Sequence, residues 1–205
     1  MTECIEESTA GADITGLNYM TVRHEMEHEI HPNRVIVGAE TYPADIANLW
    51  GIINRNSHVI VDFTRTGYDY IGEAGCGIFY YDGSSNFGSH WPDSIAYIGD
   101  INIIGYRRPI SYLREIVFGL RKDPYIAVER ANRYGMKHSQ TPWMLKDNIA
   151  SWTWHDYEGK PEVVDIYSDA QEVELFLNGK SLGKKAAGEE NQFTAPLKLY
   201  MSLVN

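Results

Sequence analysis

A carboxylate at the end of an apolar run is the sharpest chemical feature of the sequence. Glu40 closes a segment that begins at Arg34 and has the composition of a buried strand. An unpaired carboxylate is costly to bury, and barrel enzymes carry catalytic groups at the carboxyl ends of parallel strands. Tyr19 ends the preceding apolar run in the same way. A tyrosine hydroxyl that donates to a carboxylate keeps it ionised and oriented, so the two residues form a candidate catalytic pair. A structural alternative is that Glu40 caps the helix that starts at Pro43.

The sequence also contains a zinc-hydrolase motif. The segment His24-Glu25-Met26-Glu27-His28 has the H-E-x-x-H spacing, in which two histidines one helical turn apart bind metal and a glutamate acts as base. Helices of that class pack into a core, whereas the residues around this motif are charged or polar and Pro32 ends the segment. We therefore expect these histidines on a solvated helix face and keep a zinc hydrolase as the lesser alternative.

Alternating strands and helices must position these side chains. The predicted strands are Asp13–Tyr19, Arg34–Glu40 and His58–Phe63, and the predicted helices are Thr21–His31, Pro43–Asn54 and Pro109–Leu120. Such alternation is typical of parallel βαβ units in a doubly wound sheet or a barrel. Three units are too few for a closed eight-stranded barrel, so a barrel requires sequence upstream of this chain.

The pattern changes from Ile149 onward. Val163–Tyr167 and Val173–Leu177 are predicted as short strands, and Asn178-Gly179 after the second is a strong hairpin signal. This tail predicts the start of an antiparallel sandwich. The last nine residues, Leu197–Asn205, do not continue that pattern, which we interpret as an artificial or frameshifted end.

Composition restricts the partners. The net charge of −10 argues against nucleic acid and anionic membranes as partners, and no apolar run is long enough to span a bilayer. Fourteen tyrosines and five tryptophans suit a neutral sugar, because flat amphipathic rings stack on pyranose faces. Two cysteines make neither a disulfide framework nor a metal cluster. The first residues have no signal-peptide pattern.

An ordered set of motifs resembles glycoside hydrolase family two, the beta-galactosidase and beta-glucuronidase group. The motifs are Asp13–Tyr19, Val35–Thr41, Thr66–Glu73, Gly105–Tyr112, Trp152–Trp154 and Val173–Gly183. The resemblance implies an α/β fold: the C-terminal portion of a (β/α)8 TIM barrel over residues 1–145, followed by an incomplete Ig-like β-sandwich over residues 146–205.

The resemblance also implies roles for individual residues. Glu40 corresponds to the nucleophile of a retaining hydrolase and Tyr19 to its hydrogen-bonding neighbour, with a terminal β-galactoside as substrate and no cofactor or metal. In such double displacement a second carboxyl about 5–5.5 Å away protonates the leaving oxygen. Asn18, Asp69 and Trp91 are candidate substrate contacts. Bracing of a loop is the alternative for Asp69, and a structural role is the alternative for Trp91.

Two departures from the family pattern bear on activity. The family's acid/base is the glutamate of an Asn-Glu pair on an earlier strand, and no such pair precedes Glu40. Arg65 stands where the family usually has a tryptophan under the reacting sugar, which indicates either an altered subsite or a sequence error. We therefore expect this chain alone to have little or no hydrolytic activity. A non-catalytic carbohydrate-binding or scaffold remnant is the main alternative.

Overall fold

The structure is a computed structural model that describes residues 9–84, 91–186 and 197–200. The chain divides into two compact units, Met1–Thr66 and Gly67–Asn205. The first unit contains the alternating strands and helices, and the second contains the antiparallel sheets.

Three parallel strands form the sheet of the first unit, in the order β1-β2-β3. Parallel neighbours need crossover connections, and helices supply them here. The elements are β1 (Ile14–Asn18), α1 (Arg23–Ile30), β2 (Val35–Thr41), a 3-10 turn (Pro43–Asp45), α2 (Ile46–Arg55) and β3 (Val59–Thr64). The predicted strands and helices are therefore confirmed here, except that the predicted second helix begins with a 3-10 turn.

A small apolar core fixes which way these strands face. Leu17, Ile36 and Val59, one from each strand, form a buried cluster with Ile52 of α2. Burying such side chains stabilises the unit by roughly 1.5–3 kcal/mol each. Because alternate residues of a strand point to opposite faces, this core also determines the direction in which residues at the strand ends point.

The second unit is mostly antiparallel. Its elements are β4 (Tyr70–Ile71), β5 (Ile95–Ala96), α3 (Pro109–Val117), β6 (Tyr125–Glu129), a 3-10 turn (Ala131–Arg133), β7 (Asn148–Ile149), β8 (Pro161–Tyr167), β9 (Glu172–Leu177), β10 (Lys180–Ala186) and β11 (Leu197–Tyr200). The sheets have the orders β11-β8-β6-β7, β10-β9 and β4-β5. The predicted hairpin is confirmed: Asn178 and Gly179 both have positive φ, as a two-residue turn between twisted strands requires.

The last described strand of this unit differs from the sequence-based expectation. The expectation that the last residues leave the sandwich pattern is wrong for Leu197–Tyr200, which pair with β8 as an antiparallel strand; residues 201–205 lie outside the described part. The predicted boundary between residues 145 and 146 stays a prediction, and β6 before it pairs with β8 after it. No helix within the described ranges is long and apolar enough to cross a membrane.

Candidate active site

Three side chains with the potential for chemistry follow the same edge of the first unit's sheet. Tyr19 comes directly after β1, Glu40 is the last but one residue of β2, and Arg65 comes directly after β3. Because the three strands are parallel, their carboxyl ends lie at one edge. The sequence predicted this for Tyr19 and Glu40.

Tyr19 contacts Glu40 through both its backbone and its side chain. The Tyr19 hydroxyl donates to Oε2 of Glu40 at 2.8 Å, and the Tyr19 backbone N–H donates to the Glu40 carbonyl at 2.6 Å. The ring of Tyr19 also stacks on Tyr42, with centroids 4.5 Å apart. Tyr19 has a φ of 55°, a left-handed conformation that bulky residues rarely adopt. The phenol is therefore fixed in position on the carboxylate.

Arg65 brings a positive charge to the same carboxylate. Its Nη1 lies 3.4 Å from both Oε1 and Oε2 of Glu40, and its backbone N–H donates to the Thr41 carbonyl at 3.1 Å. The side chains of Arg65 and Glu40 are 25% and 35% exposed, so this is a partly hydrated ion pair worth about 0–1 kcal/mol. The sequence marked Arg65 as a departure from the family pattern, but nothing in the sequence indicated that it contacts Glu40, 25 residues away.

A glycine in β2 makes room for a partly buried carboxylate in the neighbouring strand. A Cβ at Gly38 would lie 2.7 Å from Oδ1 of Asp62 and 3.0 Å from Cγ2 of Thr41. Oδ2 of Asp62 accepts a hydrogen bond from Thr64 at 3.1 Å, while the buried Oδ1 has no hydrogen-bond partner among the described residues. Position 38 lies two residues before Glu40 in β2. A side chain there would therefore push on the neighbouring strand, β3.

The three remaining candidate substrate contacts differ in exposure and in hydrogen bonding. Asn18 is exposed and pairs with Glu40 in the strand register. In the second unit Asp69 is buried, with two bonds from Arg108 at 2.6 and 2.7 Å and one from the Gly99 N–H at 2.9 Å. Trp91 is 87% exposed. The bonds of Asp69 are those of a loop brace, and the substrate roles of all three residues stay predictions.

The expectation of a solvated histidine face on α1 is wrong for His24 and confirmed for His28, which is exposed. His24 is 0% exposed. Glu27 is also buried, and its ion pairs with Arg23 and with Arg34, the latter at 2.6 Å, neutralise its charge. The glutamate that would act as base in the zinc motif, Glu25, is instead paired with Arg55 at 2.8 Å. Within the described residues, no group of three potential ligands could hold a metal ion.

Comparisons with known proteins show which families and structures the chain is similar to. Residues 159–196 match a family model described as Domain of unknown function (DUF4982). The chain is 24% identical over 147 residues to beta-galactosidase BoGH2A from Bacteroides ovatus. Two crystal structures of glycosyl hydrolase family 2 members from Bacteroides cellulosilyticus match 96% of the chain, at 32% identity with a TM-score of 0.84 and at 30% identity with a TM-score of 0.72.

The resemblance to glycoside hydrolase family two is confirmed. The chain is much shorter than the family two proteins that it matches. The aligned part covers 70% of this chain but 13% of the beta-galactosidase, and 26% and 23% of the two solved family two structures. It therefore corresponds to a segment of a family two protein.

Proposed function

We propose that this chain supplies the nucleophile side of a retaining glycoside hydrolase active site, with Glu40 as the nucleophile. The observation that carries the proposal is the 2.8 Å hydrogen bond from Tyr19 to Oε2 of Glu40, at the edge where three parallel strands end. A carboxylate that is partly exposed and held by the tyrosine hydroxyl on one oxygen can meet a sugar with the other, which Arg65 contacts at 3.4 Å.

The proposed reaction is double displacement. Oε1 of Glu40 attacks the anomeric carbon, since the Tyr19 hydroxyl is bound to Oε2. The bond from that carbon to the leaving oxygen breaks, its electron pair goes to the oxygen, and the oxygen takes a proton from a general acid. Water then attacks the anomeric carbon, loses a proton to the same group, and frees Glu40. Two inversions give overall retention.

We further propose that residues 1–145 are the C-terminal portion of a (β/α)8 barrel and that residues 146–205 begin an Ig-like sandwich. The parallel order of the first unit's strands supports the barrel. Ile14 and Ile60, which alternate with the core positions of their strands, are 53% and 52% exposed, as expected if further strands cover that face. The name of the Bacteroides ovatus relative favours a terminal β-galactoside as substrate.

The acid/base of this reaction is proposed to lie outside this chain, because the sequence has no Asn-Glu pair. On that basis the chain alone hydrolyses ordinary galactosides little or not at all. A second candidate, a non-catalytic sugar-binding remnant, is favoured by one observation. Arg65 forms an ion pair with Glu40, which lowers the tendency of the carboxylate to form a neutral ester.

A galactoside that needs no general acid separates these two candidates. The full chain is mixed with 2,4-dinitrophenyl β-galactoside, whose leaving group departs without a proton, and dinitrophenolate release is followed by absorbance. The hydrolase proposal expects release that Glu40→Gln abolishes and that Glu25→Gln, a matched glutamate in an ion pair of the same unit, leaves unchanged. Calorimetric binding of galactose without any release would instead favour the remnant.

A further inference from the structure

A pocket in the second unit has a chemistry that the proposed hydrolase does not use. It lies between Tyr81 and the segment from Glu129 to Asp147, and its volume is about 230 Å³. Pockets for drug-sized ligands have roughly 300–1,000 Å³, so this one suits a single sugar ring. Its charged or titratable lining side chains are Tyr81, Glu129, Arg130, Arg133, His138, Lys146 and Asp147.

Both carboxylates that line this pocket already have cationic partners, and Glu129 lies 3.5 Å from Nζ of Lys146. Asp147 accepts from Nε of Arg130 at 2.7 Å through one oxygen and from the Tyr81 hydroxyl at 3.0 Å through the other. Burial, and then the charge of Asp147, raises the pKa of Tyr81 to about 12, so the phenol stays protonated and remains a donor. Lys146 is likewise engaged, since its Nζ lies 2.6 Å from the buried Asp165.

Arg133 is the cation of this pocket that is left for a ligand. Its guanidinium lies over the Tyr81 ring, 4.6 Å from the centroid, and it forms no ion pair with any carboxylate of the described residues. A guanidinium stacked on a ring keeps its N–H groups in its own plane, where they match the two oxygens of a carboxylate.

His138 adds a hydrogen-bond acceptor. Nε2 of Gln140 donates to the Met144 carbonyl at 2.8 Å, so the amide oxygen of Gln140 faces Nε2 of His138, 3.0 Å away. That oxygen can only accept, so Nε2 of the histidine carries the proton and Nδ1 of the neutral ring has the lone pair. The ring is held against Tyr81 and Phe79, with centroids 5.4 and 5.5 Å away. Nδ1 can accept from a hydroxyl group.

We propose that this pocket binds a monosaccharide carboxylate, a sugar acid, through its carboxylate on Arg133 and a hydroxyl on His138. A donor fork and a lone-pair nitrogen that line the same pocket match a molecule that carries both an anion and a hydroxyl, and the volume fits one ring. This inference is independent of the proposed function of Glu40.

Isothermal titration of the full chain with galacturonate, galactose and inorganic phosphate tests it. Galacturonate is expected to bind at least ten times more tightly than either of the other two. Arg133→Gln should weaken galacturonate binding at least tenfold, whereas Lys137→Gln, an exposed neighbouring cation that does not line the pocket, should leave it unchanged.

A third variant and the two comparison ligands decide the source of any binding. Arg65→Gln removes the cation beside Glu40, and the affinity for galacturonate should not change. A loss in that variant would place the binding at Glu40 and overturn the proposal. Equal affinity for phosphate would show a simple oxyanion site, and equal affinity for galactose would show that the carboxylate is not recognised. Either result, or no binding, would also overturn it.

Discussion

Tyr19 holds Glu40 at two points, because its backbone N–H donates to the Glu40 carbonyl and its hydroxyl donates to the Glu40 carboxylate. The backbone bond ties the end of β1 to the end of β2. The hydroxyl bond then fixes the rotamer of the carboxylate, so the strand pairing and the orientation of the proposed nucleophile are determined by the same residue.

Removing only the hydroxyl separates these two effects. In Tyr19→Phe the backbone bond and the stacking on Tyr42 are retained, while Oε2 of Glu40 loses its donor. We expect dinitrophenolate release from the activated galactoside to fall about tenfold, because a misplacement of about 1 Å can cost roughly a hundredfold and the lost hydrogen bond permits a smaller shift. Tyr112→Phe, in the second unit, serves as the control. An unchanged rate in Tyr19→Phe would mean that the hydrogen bond does not position Glu40.

The ion pair between Arg65 and Glu40 should slow ester formation. The pair stabilises the carboxylate but not the neutral ester, by up to about 1 kcal/mol at this exposure. Arg65→Gln should therefore release dinitrophenolate up to about five times faster than the unchanged chain. Arg55→Gln, which removes an arginine paired with Glu25, is the matched control. Slower release in Arg65→Gln would show instead that the guanidinium assists the reaction.

Gly38→Ala should destabilise the first unit by about 1–3 kcal/mol, since the new methyl group would overlap Oδ1 of Asp62. The midpoint of urea unfolding measures this. Gly11→Ala is the control, because a Cβ there would meet nothing within 4 Å. If the overlap is the cause, Asp62→Ala in the Gly38→Ala background restores part of the loss. An unchanged midpoint in Gly38→Ala would show that the strands move apart without cost.

The second unit should lose stability as the pH rises. Burial, and then the charge of Glu129, raises the pKa of Glu162 to about 7, and the side chain is 1% exposed. The folded state then keeps a proton that the unfolded state releases above its ordinary pKa of 4.5. The stabilisation is complete below pH 4.5 and is lost as the pH rises through 7, by up to roughly 3 kcal/mol.

Urea unfolding at pH 5 and pH 8 measures this dependence. Glu162→Gln should remove most of the difference between the two pH values, whereas Glu158→Gln, a partly exposed glutamate, should keep it. A difference of the same size in Glu162→Gln would assign the dependence to another group.

The sequence predicted the parts of this fold that depend on local patterns. β1, β2 and β3 were recognisable because each is a short apolar run between turn residues, and the hairpin after Leu177 was recognisable from Asn178-Gly179. β6 was not predicted. Its pairing partners, β7 and β8, both lie farther along the chain. No adjacent hairpin signal therefore marked its five residues as a strand.

The candidate site was likewise predicted where it depends on local patterns and missed where it depends on contacts between strands. The positions of Tyr19 and Glu40 followed from strand ends, whereas the contact of Arg65 and the stacking of Tyr42 depend on how side chains meet across strands. The polarity of α1 was misleading, because the burial of Glu27 depends on the two arginines that neutralise it. Charge compensation of this kind cannot be seen in the hydrophobic pattern of one helix.

Locating a covalent sugar on the chain tests the central claim most directly. The full chain is incubated with 2,4-dinitrophenyl 2-deoxy-2-fluoro-β-galactoside, which forms the ester but hydrolyses it slowly, and is then digested and sequenced by mass spectrometry. The account predicts one added fluorosugar per chain, attached to Glu40 and absent from Glu40→Gln. A sugar attached to another carboxylate, or none at all while dinitrophenolate is released, would contradict it.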